Sequence, residues 1–167
     1  MEFLDKLGRY LNRLLMIIAG IFLLGMIALT CANILLRFFW FPVRGTFELM
    51  GFFGAVAAAF ALGYTQVRRG HIAVDVLIST FSKKTRRTLG IINETVGVIF
   101  FALVAWQMAV KAGTLWTTGE VTETLRIIYY PFTYAVAIGF GVLSLVFLIE
   151  LLKTLFPQKP QRTNNIK

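Results

Sequence analysis

Four long stretches without Asp, Glu, Lys or Arg set the pattern of this chain: Leu14 to Leu36, Leu49 to Val67, Thr95 to Val110 and Ile127 to Ile149. A helix rises about 1.5 Å per residue, so roughly 20 residues cross a hydrocarbon core of about 30 Å. The first, second and fourth stretches are long enough as they stand. The third reaches spanning length when it starts near Thr88 and carries Glu94 just inside the membrane boundary. The pattern predicts an all-α integral membrane protein with helices over about 12–37, 47–68, 88–111 and 129–153. These make one membrane domain, 1–156, followed by a polar, Pro-containing tail, 157–167, expected to be disordered.

Finer periodicities fill in the segments between. Near the N-terminus, Leu4, Leu7, Leu11 and Leu14 share a helical face, with Asp5, Arg9, Asn12 and Arg13 largely elsewhere. This predicts an amphipathic lead-in continuous with the first membrane helix. Phe38, Phe39, Trp40 and Phe41 form an aromatic interface belt, and Pro42 and Gly45 turn the chain back. Between the second and third helices, Ala73, Val76, Leu77 and Phe81 oppose Asp75, Ser79, Ser82, Lys83 and Arg86, the pattern of an interfacial helix over about 72–83. A strand there also alternates, but an open strand edge at a bilayer surface is disfavoured. The third loop, Lys111 to Arg126, is rich in Thr and Gly, and Tyr129, Tyr130 and Pro131 mark the start of the fourth helix.

Composition agrees with a membrane protein: the chain of 167 residues is 57% hydrophobic and only 15% charged, against about 25% charged in soluble domains. The net charge of +9 raises the question of nucleic acid, and the distribution of the charge answers it. Of the 17 Lys and Arg, 13 fall in the N-terminal segment, the second loop and the tail, and Arg37, Arg44, Lys111 and Arg126 fall in the first and third loops. That asymmetry is the positive-inside pattern and predicts both termini in the cytoplasm. The basic residues then meet anionic phospholipid headgroups, and no nucleic-acid partner is expected. The first apolar stretch has 23 residues, beyond the roughly 7–15 of a signal-peptide core, so an uncleaved first helix is expected. Cys31, the single cysteine, permits no intrachain disulfide.

The search for chemistry returns mostly absences. His71 is the single histidine, so the chain alone offers no bis-histidine haem site and no His-cluster metal site, and no Walker-type phosphate loop occurs. No enzyme and no cofactor is expected. Glu94 is the carboxylate set deepest in a span; it reads either as a proton or ion relay or a buried salt bridge to another subunit, or as a boundary residue that snorkels or pairs with Arg86 or Arg87. Arg44 and Glu48, four apart, read as an i,i+4 pair that with Arg37 either docks a protein or anchors helix ends. His71 and Asp75, also four apart, read as local hydrogen bonding or a subunit contact. Small residues at Gly51, Ala55, Ala59 and Gly63, with a second row at Gly54, Ala58 and Ala61, let helix backbones approach closely. They serve either a partner helix or packing within this chain.

Several of these residues, in this order, resemble the small membrane subunit of tripartite ATP-independent periplasmic (TRAP) transporters, the DctQ-like family. The resemblance rests on Asn33-Ile34-Leu35-Leu36-Arg37, on Glu48, and on Arg68-Arg69-Gly70-His71-Ile72-Ala73-Val74-Asp75. It continues in Thr122-Glu123-Thr124-Leu125-Arg126-Ile127 running into Tyr130-Pro131-Phe132, and covers roughly residues 10–155. Ile128-Tyr129 depart from it, standing where relatives often place a proline. The resemblance implies a bacterial inner-membrane complex in which a soluble periplasmic binding protein delivers an organic anion for uptake driven by a sodium gradient. A large elevator-type subunit carries the transport sites and the small one braces it. On this reading Gly51, Ala55, Ala59 and Gly63 pack on the partner. Arg37, Arg44, Glu48, Glu120, Glu123 and Arg126 are docking candidates on the periplasmic side. Arg68, Arg69, His71, Asp75, Lys83, Lys84, Arg86 and Arg87 contact lipid or subunit on the cytoplasmic side. The rival readings are a self-contained oligomeric transporter or channel using Glu94, and a membrane anchor for a redox enzyme, which would need paired helix histidines.

Overall fold

The computed structural model describes residues 2–39, 43–67 and 83–155. Among them run four helices, α1 (Glu2–Phe38), α2 (Thr46–Val67), α3 (Lys83–Thr118) and α4 (Tyr130–Leu155). Each contains a stretch long and apolar enough to cross a membrane. The interfacial helix expected over 72–83 lies outside the described residues apart from Lys83, which opens α3. Trp40, Phe41 and Pro42 of the expected belt and turn, and the tail 157–167, also lie outside them.

Helix α4 is the hub. α3 packs along it, α2 packs on it as well, and α1 packs on α2 while touching α4 more lightly. Leu15 and Ala19 of α1, Val56, Ala59 and Phe60 of α2 and Val142 of α4 bury together as the core of this arrangement. The inward stripe of α1 is Gly8, Asn12, Leu15 and Ala19, spaced four, three and four apart as a helix face requires. This corrects the expected lead-in face. Asn12 is buried and Leu14 is exposed, because the amide of Asn12 donates to the Gly63 carbonyl at 3.0 Å. A polar residue turned toward another helix finds a hydrogen-bond partner that lipid does not offer.

The α3–α4 seam is set by size. Gly97 lies under the ring of Phe147, so close that a Cβ there would stand 2.5 Å from it. Phe147 in turn stacks with Phe101 at 5.4 Å between ring centroids, and the Ser144 hydroxyl donates to the Val98 carbonyl. α3 runs to Thr118, past the end expected near 111, so the Thr- and Gly-rich stretch that reads as loop is in large part helical. Ala112 and Leu115, on that extension, are 0% and 5% exposed; burial outweighs the weak helix propensity of the Thr and Gly around them. The helix ends at Gly119, whose φ of 65° is the left-handed cap conformation. Its N–H donates to the Leu115 carbonyl at 3.1 Å, the single bond of an αL cap.

Candidate functional site

The α1–α2 and α3–α4 connections meet at one end of the bundle and are stitched into a cap. Its centre is Glu48, in the first turn of α2. The Thr124 N–H donates to Glu48 Oε1 at 2.7 Å and the Leu125 N–H to Oε2 at 3.0 Å. A carboxylate supplies two acceptor oxygens, and here each takes one backbone donor of a chain segment more than seventy residues away. Beside it, Gly45 carries φ of 71°, and a Cβ there would collide with the side chain of Leu125. Only glycine meets both demands, the left-handed backbone and the space for Leu125. The α1–α2 connection is tied down further. Asn33 Oδ1 accepts the Val43 N–H at 3.1 Å, and the Thr46 hydroxyl donates to the Val43 carbonyl at 2.7 Å.

The facing segment, Glu120 to Tyr129, is a tight hairpin-like turn. Val121 and Ile128 form an isolated antiparallel bridge. The Thr122 N–H donates to the Ile127 carbonyl at 2.9 Å, and the Tyr129 N–H to the Glu120 carbonyl at 3.4 Å. The Thr122 hydroxyl accepts the Ile127 N–H at 3.1 Å. Thr122 is 2% exposed, so its side chain is the inner peg of the turn. Arg126 sits at φ 54°, the one non-glycine residue with positive φ among the described residues. Such a conformation costs of the order of 1 kcal/mol and persists where neighbours over-determine it. Here the bonds at Thr124, Leu125 and Ile127 do so.

The cap gathers the residues expected to dock a protein, but it sorts them. Arg37, Arg44, Glu120, Glu123 and Arg126 are exposed. Glu48 is turned inward and spends both oxygens on the turn, and the i,i+4 pairing with Arg44 does not form. Thr122 and Leu125, which hold the turn, are not among the expected site residues; both stand inside the 122–127 motif. The hint in the sequence is a short polar Thr before a left-handed position. The small-residue stripe divides as well. Gly51 and Ala55 are exposed, whereas Ala59 and Gly63 are buried within the chain. Ala59 lies against Gly139 of α4 and Gly63 against Asn12 of α1, so their expected place on a partner helix is corrected to packing inside this chain.

At the opposite end, Glu94 faces α4. The Thr154 hydroxyl lies 3.3 Å from Glu94 Oε1 and 3.0 Å from the Glu150 carbonyl, and its single proton serves one acceptor at a time. Arg87 donates to the Thr154 carbonyl at 3.2 Å, and Lys153 and Glu150 form an ion pair at 2.9 Å. The carboxylate of Glu94 thus belongs to a polar cluster that joins α3 to the last turns of α4. Lys83, Lys84 and Arg86 lie in the first turn of α3, and Arg68, Arg69, His71 and Asp75 lie outside the described residues. Among the described residues no group of three or more His, Cys, Asp or Glu stands ready to hold a metal ion.

Residues 26–156 match the family model described as the DctQ component of tripartite ATP-independent periplasmic transporters. No curated protein and no solved structure matches the chain.

Proposed function

The chain belongs to the DctQ component family of tripartite ATP-independent periplasmic transporters, and from this premise we propose that it braces the large membrane subunit of such a system and carries no transport path of its own. Membership makes it the small membrane component of a tripartite system, alongside a large membrane subunit and a periplasmic binding protein. The observation that carries the bracing role is the distribution of polar groups along the helices. A path for ions or anions needs polar or charged groups deep in the bilayer, facing a cavity. Here the charged residues within the spans sit near their ends, and Glu94 is bound into the α3–α4 cluster rather than opening on a channel.

The outer faces supply the complementary half. α3 presents Leu89, Ile92, Val96, Ile99, Leu103 and Trp106 outward, a stripe at helical spacing with no charge among these positions. α2 presents Gly51, Ala55 and Ala58. In lipid these faces associate through close packing rather than through the hydrophobic effect. The cap faces the periplasm and docks the binding protein, and both termini are cytoplasmic, in the bacterial inner membrane. The basic residues from Arg68 to Arg87 contact anionic lipid or the large subunit there. Uptake is of an organic anion and is driven by a sodium gradient through an elevator-type partner. The channel alternative, which needs Glu94 free to relay protons or ions, is disfavoured by the contact of this residue with Thr154 inside the α3–α4 cluster.

Co-purification with the large subunit tests the bracing role and the open half of the stripe together. Ala55→Leu is expected to weaken association by about 1–2 kcal/mol, close to tenfold in affinity, by overfilling a close helix contact. The isolated chain is expected to keep its thermal stability. Gly63→Leu, in contrast, strikes Asn12, whose Oδ1 lies 2.9 Å from the Cβ position, and is expected to destabilise the isolated chain itself. Unchanged association for Ala55→Leu removes that position from the partner interface.

A further inference from the structure

Polar side chains on α3 leave the bundle at a depth where lipid offers them nothing. Depth along α3 is marked by its contacts with α4. Trp116 meets Tyr130 at the cap end, with 4.6 Å between ring centroids, and Glu94 meets Thr154 at the other. The rise from Glu94 to Trp116 is roughly 33 Å, which matches a hydrocarbon core of about 30 Å. Gln107 lies about 13 Å below Trp116, near the middle of that interval, and Lys111 about 7 Å below it. Gln107, Lys111, Thr114 and Thr118 follow one another at helical spacing, and all are exposed. Trp106, beside Gln107, is 69% exposed. Polar side chains elsewhere in the spans bond within the chain: Asn12 to the Gly63 carbonyl, Thr30 to that of Met26 and Ser144 to that of Val98. The Thr114 hydroxyl likewise donates to the Val110 carbonyl. Among the described residues Gln107, Lys111 and the Trp106 indole have no hydrogen-bond or ion-pair partner. They face outward, so they line no path through this chain.

Depth and charge choose among the occupants of this patch. A phospholipid satisfies Lys111, whose long side chain extends toward the headgroups, but its polar groups end at the boundary and leave Gln107 bare. A second copy of the chain pairs the two Gln107 carboxamides, each of which donates and accepts. Copies inserted alike in a membrane run parallel, however, so the same pairing sets Lys111 against Lys111, two like charges at low dielectric. A different helix, with acceptors at both levels, meets neither objection. We propose that Gln107 and Lys111 form a two-point polar anchor for a helix of the large membrane subunit, which sets a hydrogen-bond acceptor against Gln107 and a carboxylate against Lys111. The apolar row from Leu89 to Trp106 gives that helix contact area without fixing its height. The anchor fixes it: a slip of one turn, about 5.4 Å, leaves the carboxamide unsatisfied in hydrocarbon. The Trp106 indole N–H supplies a further donor at the level of Gln107.

This inference rests on the proposed bracing role, and the two fail differently. With Gln107→p-benzoylphenylalanine in the assembled complex, illumination is expected to crosslink this chain to the large subunit. A crosslink to a second copy of the chain, or to lipid alone, overturns the anchor. The Kd between the two membrane subunits in lipid–detergent micelles gives an independent reading. Gln107→Leu is expected to raise it about threefold and Lys111→Glu about tenfold. The melting temperature of the isolated chain is expected to stay unchanged in both, because these side chains touch nothing within it. Reversing to lysine a carboxylate on the crosslinked helix is expected to restore binding to the Lys111→Glu variant. Kd values within about twofold of the starting protein for both variants overturn the anchor and leave the bracing role standing. Failure of the unaltered subunits to form a complex overturns the bracing role and the anchor with it.

Discussion

Replacing Glu48 with alanine is expected to lower the melting temperature of the protein, because two charge-assisted hydrogen bonds are lost together. The loss is smaller than for two buried bonds, since Thr124 is exposed and water can satisfy its N–H in part. The loss is not local to α2. Without the carboxylate nothing holds the Thr124 and Leu125 N–H groups toward α2, Leu125 is free to leave Gly45, and the left-handed Arg126 relaxes. Limited proteolysis within 120–128, together with thermal unfolding in detergent, reports both effects. Glu48→Gln is expected to lie between, because the amide offers one acceptor where two donors wait. Equal melting temperatures and equal cleavage for the alanine variant and the starting protein would show that the cap is held by packing alone.

A leucine at Gly97 is expected to have the larger effect. A Cβ at that position would already lie 2.5 Å from two atoms of the Phe147 ring, and leucine adds three further carbons. Phe147 cannot swing aside easily, being 7% exposed and stacked on Phe101. The penalty is expected to reach or exceed about 3 kcal/mol, the upper end for overpacking a tight interior. It falls where the fold has least redundancy, because α3 is attached to the rest of the bundle chiefly through α4. The expected result is loss of monodisperse protein on size exclusion in detergent, with Gly97→Ala giving a milder form. Normal yield of the leucine variant would mean that α3 and α4 do not pack through this glycine.

The two sites differ in how far the sequence reveals them. The four spans are legible because each is a stretch of apolar residues interrupted only where the chain leaves the bilayer, a one-dimensional signal of physical origin. The end of α3 is not legible in the same way. Lys111, Gly113 and three nearby threonines resemble a loop locally, and only burial of Ala112 and Leu115 against the bundle continues the helix. Gly119 is the usable hint, since glycine commonly follows a helix end. Glu48 stands in a family motif, yet the sequence suggests Arg44 as its partner because a four-residue spacing is visible and a contact with Thr124 and Leu125 is not. The stripe from Gly51 to Gly63 has the same difficulty. Small residues four apart announce a close helix contact but not which helix makes it, and the fold assigns Ala59 and Gly63 to α4 and α1. Asn12 completes the pattern: a lone polar residue near a helix start looks solvent-facing until its acceptor, the Gly63 carbonyl, is known.

The central claim is that this chain supports a transport path that lies in another subunit. Sodium-driven uptake into proteoliposomes tests it most directly, using the large subunit and the binding protein with and without this chain, and the organic anion that the binding protein retains on purification. The bracing role predicts rapid uptake only when both membrane subunits are present, and none from this chain with the binding protein alone. Full-rate uptake by the large subunit without this chain, or uptake by this chain alone that Glu94→Gln abolishes, would contradict it.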